Sequence, residues 1–184
     1  NNFKGTINFI LEFTNKSIEK YANSNFDYSV KKVNVFLDEN IIQEQYISHC
    51  LWNMYRGTSS PISPYLLQSI HMALEKYLLE IGKLIESNVL EYWLLYLLKN
   101  SKSASISSVV SSIVLAYPDK TFNIAQILFK TKEFILQDTN RLISDQGAES
   151  LYSIGKDWGV NTNIIYDEER ISTCKDEHRR STLE

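Results

Sequence analysis

This sequence is poor in the residues that staple small folds or mark common active sites. Its two cysteines, Cys50 and Cys174, are far apart and one lies in a polar tail. That excludes a disulfide framework, and the plain reading is two reduced thiols in a cytosolic protein. No CxxC pair and no Cys/His cluster supplies the ligands of a structural zinc site. Neither GxxxxGK[ST] nor GxGxxG occurs, so the usual phosphate-cradling loops are missing. The longest apolar run, Val89 to Leu98, is interrupted by Glu91 and falls far short of the ~20 residues that span a bilayer. There is no basic, apolar leader at the start. Excess positive charge is lacking too: the net charge is -3, and the basic residues are scattered, with Lys31-Lys32 and Arg179-Arg180 only pairs. Nucleic acid and membrane are therefore not expected partners. The chain opens on Asn1 rather than Met, which reads as a segment excised from a longer protein.

What is present is enough apolar residue for a core. With 184 residues and 43% hydrophobic content, a chain can bury roughly 70% of its unfolded surface without staples. The pattern is mostly helical. Phe3, Ile7, Ile10, Leu11, Ile18 and Tyr21 share one face of a helix over Asn2 to Ala22. The period then changes to two: Val33, Val35 and Leu37 alternate with Lys32, Asn34 and Phe36, and Asp38-Glu39-Asn40 forms a turn. Ile41 to Tyr46 returns, so a short β-hairpin is predicted near 30–46. Ser48 is placed to cap a short helix through Tyr55, closed by Gly57. Pro64 suits the first position of the next helix.

Tyr65 to Glu86 is the clearest helix. Leu67, Ile70, Leu74, Tyr77, Ile81 and Leu84 recur at spacings of three and four. Gln68, His71, Glu75, Lys76, Glu80 and Lys83 take the other side, which predicts a solvated His71/Glu75 pair. Val89 to Lys99, capped by Ser87 or Asn88, is apolar nearly all round. It is expected at the centre of the bundle, or covered by parts of a longer chain. Ser103 caps a Ser-rich helix, Ala104 to Tyr117, whose mediocre propensity means packing must hold it. Pro118 ends it. Phe122 to Phe129 and Thr131 to Ile143 supply further apolar faces, and Asp145-Gln146-Gly147 break the pattern. The expected organisation is a mainly α fold, a helical bundle or short α-solenoid segment with one small hairpin. Residues 1–144 form the helical domain, and 145–184 a polar extension that is partly disordered.

Little of this carries chemistry. Arg56-Gly57-Thr58-Ser59-Ser60 has the hydroxyls of an anion loop but neither its lysine nor its glycine spacing, so an ordinary helix stop is the plainer reading. His49 and Cys50 are neighbours whose side chains point apart, His178 sits in the tail, and Asp38/Glu39 and Glu168/Glu169 are turn and tail charges. Asp138 and Arg141 are spaced as a helix-surface ion pair. No catalytic, cofactor or metal residue is assigned; the alternative to a segment of a larger protein is a free-standing helical protein-interaction domain, and a small helical enzyme is the weaker reading. Trp52, Tyr55 and Arg56 form the one corner suited to partner contact, since aromatics with Arg are enriched at binding hot spots. The plainer reading is that Trp52 and Tyr55 are core and Arg56 snorkels past them.

Two stretches resemble a known family. Leu51-Trp52-Asn53-Met54-Tyr55-Arg56-Gly57-Thr58 runs into Met72-Ala73-Leu74-Glu75-Lys76-Tyr77-Leu78-Leu79-Glu80. Ser103-Ala104-Ser105-Ile106-Ser107-Ser108-Val109-Val110 runs into Ala116-Tyr117-Pro118. Over about Ser48 to Arg141 the chain is similar to a helical region downstream of the nucleotide-binding core in large bacterial STAND-type NTPases, antiviral defence proteins among them. The resemblance implies a cytoplasmic scaffold, linker or sensor segment with no cofactor of its own. Its partners would be other domains of a parent chain or a separate protein.

Overall fold

In this computed structural model, residues 2–57, 64–157 and 172–184 are described, with the side chains of all but 148–157. The described residues are mainly helical with one two-stranded antiparallel hairpin, as expected from the sequence. Helix α1 spans Phe3–Ala22, and Asn2 accepts from the Gly5 N–H at its start. Its face of Ile7, Ile10, Leu11, Ile18 and Tyr21 is buried.

Strands β1 (Lys31–Asp38) and β2 (Ile41–Ile47) follow. Val33, Val35 and Leu37 face inward. The register pairs Val33 with Gln45 and Val35 with Gln43. Directly paired residues share a face, so Gln45 is buried while Ile41 and Ile42 are exposed. The buried amide is satisfied: Ser107 donates to Gln45 Oε1 at 2.7 Å. A lone hairpin is marginal in water, and here it leans on the helices, with the Tyr46 N–H donating to the Lys102 carbonyl.

Ser48 caps α2 (His49–Trp52) through the Leu51 N–H. A 3-10 turn, Met54–Arg56, then closes on Gly57 at φ 66°, a left-handed conformation that glycine takes without a Cβ penalty. Helix α3 spans Tyr65–Gly82, with Pro64 preceding its first residue. It stops four residues before the expected Glu86. At Gly82 the Tyr117 ring lies where a side chain would stand, and Lys120 Nζ caps the Gly82 and Ile85 carbonyls. Leu84 falls beyond the helix and is exposed.

Helix α4 spans Ser87–Asn100, α5 Ala104–Ala116, α6 Phe122–Phe129 and α7 Lys132–Asp157. The expectation for the centre of the bundle is overturned. Helix α4 buries Leu90, Leu94, Leu97 and Leu98, but Val89 and Tyr92 are exposed. Its outer side meets α1 through Phe3 against Trp93, ring centroids 4.6 Å apart, and through Tyr96 donating to Asn8. The central element is the Ser-rich α5, buried from Ala104 to Val114 and packed on α2, α3, α4, α6 and α7. Serines suit this place because they are small, and because their hydroxyls bond to carbonyls one turn back or to buried polar groups. Ser108 does the first, and Ser105, Ser107 and Ser112 the second.

The break expected at Asp145–Gly147 is absent. Helix α7 runs through it, because Asp145 points inward to two arginines rather than into a turn. The boundary expected at 144/145 therefore falls inside a helix. Of the polar extension, 172–184 packs on the core, with Cys174, Arg179 and Leu183 buried, and 158–171 lies outside the described residues. No described helix is long and apolar enough to cross a membrane.

Candidate functional site

The buried face of α3 is not the one that the heptad spacing selects. It comprises Leu67, Gln68, His71, Leu74, Glu75, Leu78 and Gly82, so His71 and Glu75 are interior rather than solvated. The cause lies on α5, whose serines offer them partners. His71 Nδ1 lies 2.7 Å from the Leu67 carbonyl, and Nε2 lies 2.9 Å from Ser105 Oγ. The carbonyl requires Nδ1 to carry the proton, so Nε2 accepts from Ser105. Burial pushes the His71 pKa down to about 4, which keeps the ring neutral.

One turn later, Glu75 accepts from Ser112 and, at 2.7 Å, from Arg179 Nη2. Burial pushes the Glu75 carboxyl up to about 7, against the pull of the Ser112 hydroxyl and Arg56. Arg179 is one of three arginines in a single interior cluster. Arg56 donates from Nε to both oxygens of Asp145 at 3.0 Å, and from Nη2 to Cys174 Sγ at 3.3 Å. Arg141 donates from Nε to Asp138 at 2.9 Å and from Nη1 to Asp145 at 3.3 Å. It also donates to the carbonyls of Arg179 and Ser181. Three guanidinium groups thus face three carboxylates, Glu75, Asp138 and Asp145, away from water.

Burial alone would lower the Arg141 pKa, but Tyr55, Asp138 and Asp145 outweigh it and hold it above the ordinary arginine value. Arg56 is raised in the same way by Asp145 and Tyr55 against burial. The Tyr55 phenol, fully enclosed, is pushed above its usual range. Interior pairs of this kind are weak evidence of net stability, because desolvation offsets attraction, but removing one partner strands a charge.

The corner Trp52, Tyr55 and Arg56 is internal, as the core reading has it for the two aromatics and against a partner contact. Trp52 packs on Phe134 with centroids 5.1 Å apart, Tyr55 is buried, and Arg56 is held by Asp145 instead of snorkelling. Asp138 and Arg141 are likewise not a surface pair, since both are enclosed by the 172–184 segment. His178 is half-buried rather than solvated, and burial lowers its pKa. His49 is exposed beside Asn53. Asp38 accepts from the Glu39 N–H in the hairpin turn. Thr58, Ser59, Ser60, Glu168 and Glu169 lie outside the described residues.

Ser105 and His71 have the spacing of a nucleophile and its base. Both are 0% exposed, and a carbonyl stands where an orienting carboxylate would. A general base must reach its substrate, so this pair is structural. Among the described residues, no group of His, Cys, Asp and Glu is arranged to hold a metal. Two surface grooves lie outside the enclosed cluster, the second of them along the 176–181 turn that covers it. One of about 470 Å³ runs between α1 and α4 past Asn8, Asn15 and Tyr96. Another of about 610 Å³ lies between Leu79, Tyr117 and the 176–181 turn.

No family model matches the chain, and no curated protein matches it. The signal that sequence reading passed over is the face itself. Positions 67, 71, 74, 75, 78 and 82 form a regular helical stripe that already contains His71 and Glu75.

Proposed function

We propose that this chain is a helical scaffold or sensor segment that docks on other domains of a larger protein or on a protein partner. In this reading the parent is a cytoplasmic STAND-type NTPase of antiviral defence or signalling, with nucleotide chemistry elsewhere. One observation carries the docking role. Phe122 and Phe129 on α6, and Leu136 and Ile143 on α7, are each pairs seven residues apart and are half or more exposed. Large apolar side chains repeated on one helix face are a contact surface in waiting. The chemistry-bearing side chains, in contrast, are turned inward and paired with one another. The parent assignment is supported by the resemblance, whose stretches on α3 and α5 form one packed unit.

The reading frame around this chain tests the parent. A GxxxxGK[ST] loop upstream is expected, and a frame without one overturns the NTPase assignment. The docking role is tested separately, by Leu136→Asp with Ile143→Asp in the full-length protein. Loss of signalling or of partner association with an unchanged melt supports it. Unchanged function overturns it.

A further inference from the structure

The 172–184 segment is held on the core by polar contacts as well as by the buried Cys174 and Leu183. Arg56 donates to Cys174 Sγ at 3.3 Å, and residues 179–183 are taken by three side chains on α3 or α7, Glu75, Asp138 and Arg141. Glu75 takes the Arg179 guanidinium. Arg141 supplies Nη1 to the Arg179 carbonyl at 2.8 Å and Nη2 to the Ser181 carbonyl. Asp138 Oδ2 receives the Leu183 N–H at 3.1 Å, and the Leu183 side chain is buried. Two main-chain carbonyls, one main-chain N–H, one charged side chain and one apolar side chain are therefore read within five residues. Such a mixture of backbone and side-chain contacts is how peptides are recognised in grooves. It differs from the packing of α5, which is continuous and closed.

The fit of the segment is also incomplete. Arg179 is 8% exposed, yet its Nε and Nη1 have no hydrogen-bond partner among the described residues; Asp176 stands 3.7 Å from Nε. A buried guanidinium with two unbonded nitrogens forgoes part of what it gained in leaving water. The groove beside Leu79, Tyr117 and His178 leaves open space along the same turn.

We propose that Glu75, Asp138 and Arg141 form a peptide-binding socket, filled in cis by residues 179–183, and that this segment leaves the socket without unfolding the helical core. Its ligand class is a short peptide carrying Arg at the first position and Leu at the fifth. Another such segment, from elsewhere in a longer chain or from a partner, competes for the same place.

The test uses the full chain carrying Arg179→Ala and Leu183→Ala, which weakens the hold of the segment by removing its two anchoring side chains while leaving the Glu75, Asp138 and Arg141 lining intact. Fluorescein-labelled synthetic peptide of residues 172–184 is titrated in and followed by anisotropy, with circular dichroism as the check on folding. The expected result is a folded variant, saturable binding, and affinity reduced tenfold or more when the peptide itself carries Arg179→Ala or Leu183→Ala. Three results overturn the proposal. The variant loses its helical signal, which makes the segment an inseparable part of the core; the peptide shows no saturable binding; or a scrambled peptide binds as well.

Discussion

Arg179 Nη2 lies 2.7 Å from Glu75 Oε2, joining residues 104 apart in sequence across the wall of the bundle. Around that contact Arg56, Arg141 and Arg179 meet Glu75, Asp138 and Asp145 in one enclosed polar cluster. Exclusion of water makes each interior charge depend on its partner.

The first consequence concerns Asp138. It is the acceptor for Arg141 and for the Leu183 N–H. Asp138→Asn leaves the shape nearly unchanged but takes from Arg141 its nearer carboxylate, leaving Asp145 at 3.3 Å. The expected loss is about 3 kcal/mol of unfolding free energy, the low end of the usual cost of breaking a buried pair. Asp138→Leu combined with Arg141→Met should cost less than Asp138→Asn alone, because no charge is left behind. Urea unfolding of the three proteins measures the difference.

A second prediction concerns pH, and it separates two groups one turn apart on α3. His71 has its pKa lowered from 6.5 to about 4. The unfolded chain takes up that proton as pH falls below 6.5 and the folded chain does not. His71 therefore removes stability between pH 6.5 and 4, by roughly 3 kcal/mol in all. Glu75 is raised from 4.5 to about 7. The folded chain takes up this proton first, so its contribution is fully present below 4.5 and is lost as pH rises through 7, also by roughly 3 kcal/mol. The two nearly cancel in the wild type. Glu75→Gln should make the protein more acid-labile between pH 6.5 and 4.5. His71→Gln should reverse that slope, giving a protein that gains stability on acidification. Urea midpoints at several pH values decide it, and parallel slopes in all three proteins would sink the assignment.

These two predictions turn on residues that the sequence presents as surface. Most of the fold was legible, and for simple reasons. Alternation marks Val33 to Leu37, Ser48 and Gly57 bracket the short helix, and Pro118 ends α5. Each of these is a local rule. The interior polar cluster is not local. Glu75, Asp145 and Arg179 are ordinary surface types until the fold brings them within 3 Å of partners on other elements. A charged residue is expected in water because burying it alone is expensive, and no local pattern says that its partner is waiting ~100 residues away. The apolar pattern likewise puts α4 at the centre, or under parts of a longer chain, and it is the first of these that fails. Its leucines outnumber those of α5, but small serines with bonded hydroxyls pack more tightly on every side.

The exposed pairs on α6 and α7 give a third prediction. Leu136 and Ile143 are about 60% exposed, 59% and 61% respectively. Replacing both with Asp in the isolated chain should move the unfolding free energy by no more than about 0.5 kcal/mol per site, as surface changes generally do. Binding of an apolar reporter dye to the folded protein should fall. If instead the double variant melts far lower, these side chains are packed in the native protein and the surface is not a free face.

The last prediction contrasts neighbours on α5. Ser111 and Ser112 are both buried, yet only one hydroxyl is engaged. Ser112 donates to the Glu75 carboxylate, while Ser111 Oγ has no hydrogen-bond partner among the described residues. Removing a hydroxyl that bonds a charged group typically costs about 1.5–3 kcal/mol. Ser112→Ala should lose about that much at pH 8, where Glu75 is mostly ionised. The loss should shrink at pH 5, where the protonated carboxyl no longer needs the donor so strongly. Ser111→Ala removes an unsatisfied buried polar group and replaces Ser with a better helix former. It should be neutral or stabilising by up to about 1 kcal/mol at both pH values. Equal losses in the two variants would mean that α5 tolerates no change at either position for reasons of packing, and that the hydroxyl of Ser112 is not what supports the buried carboxylate.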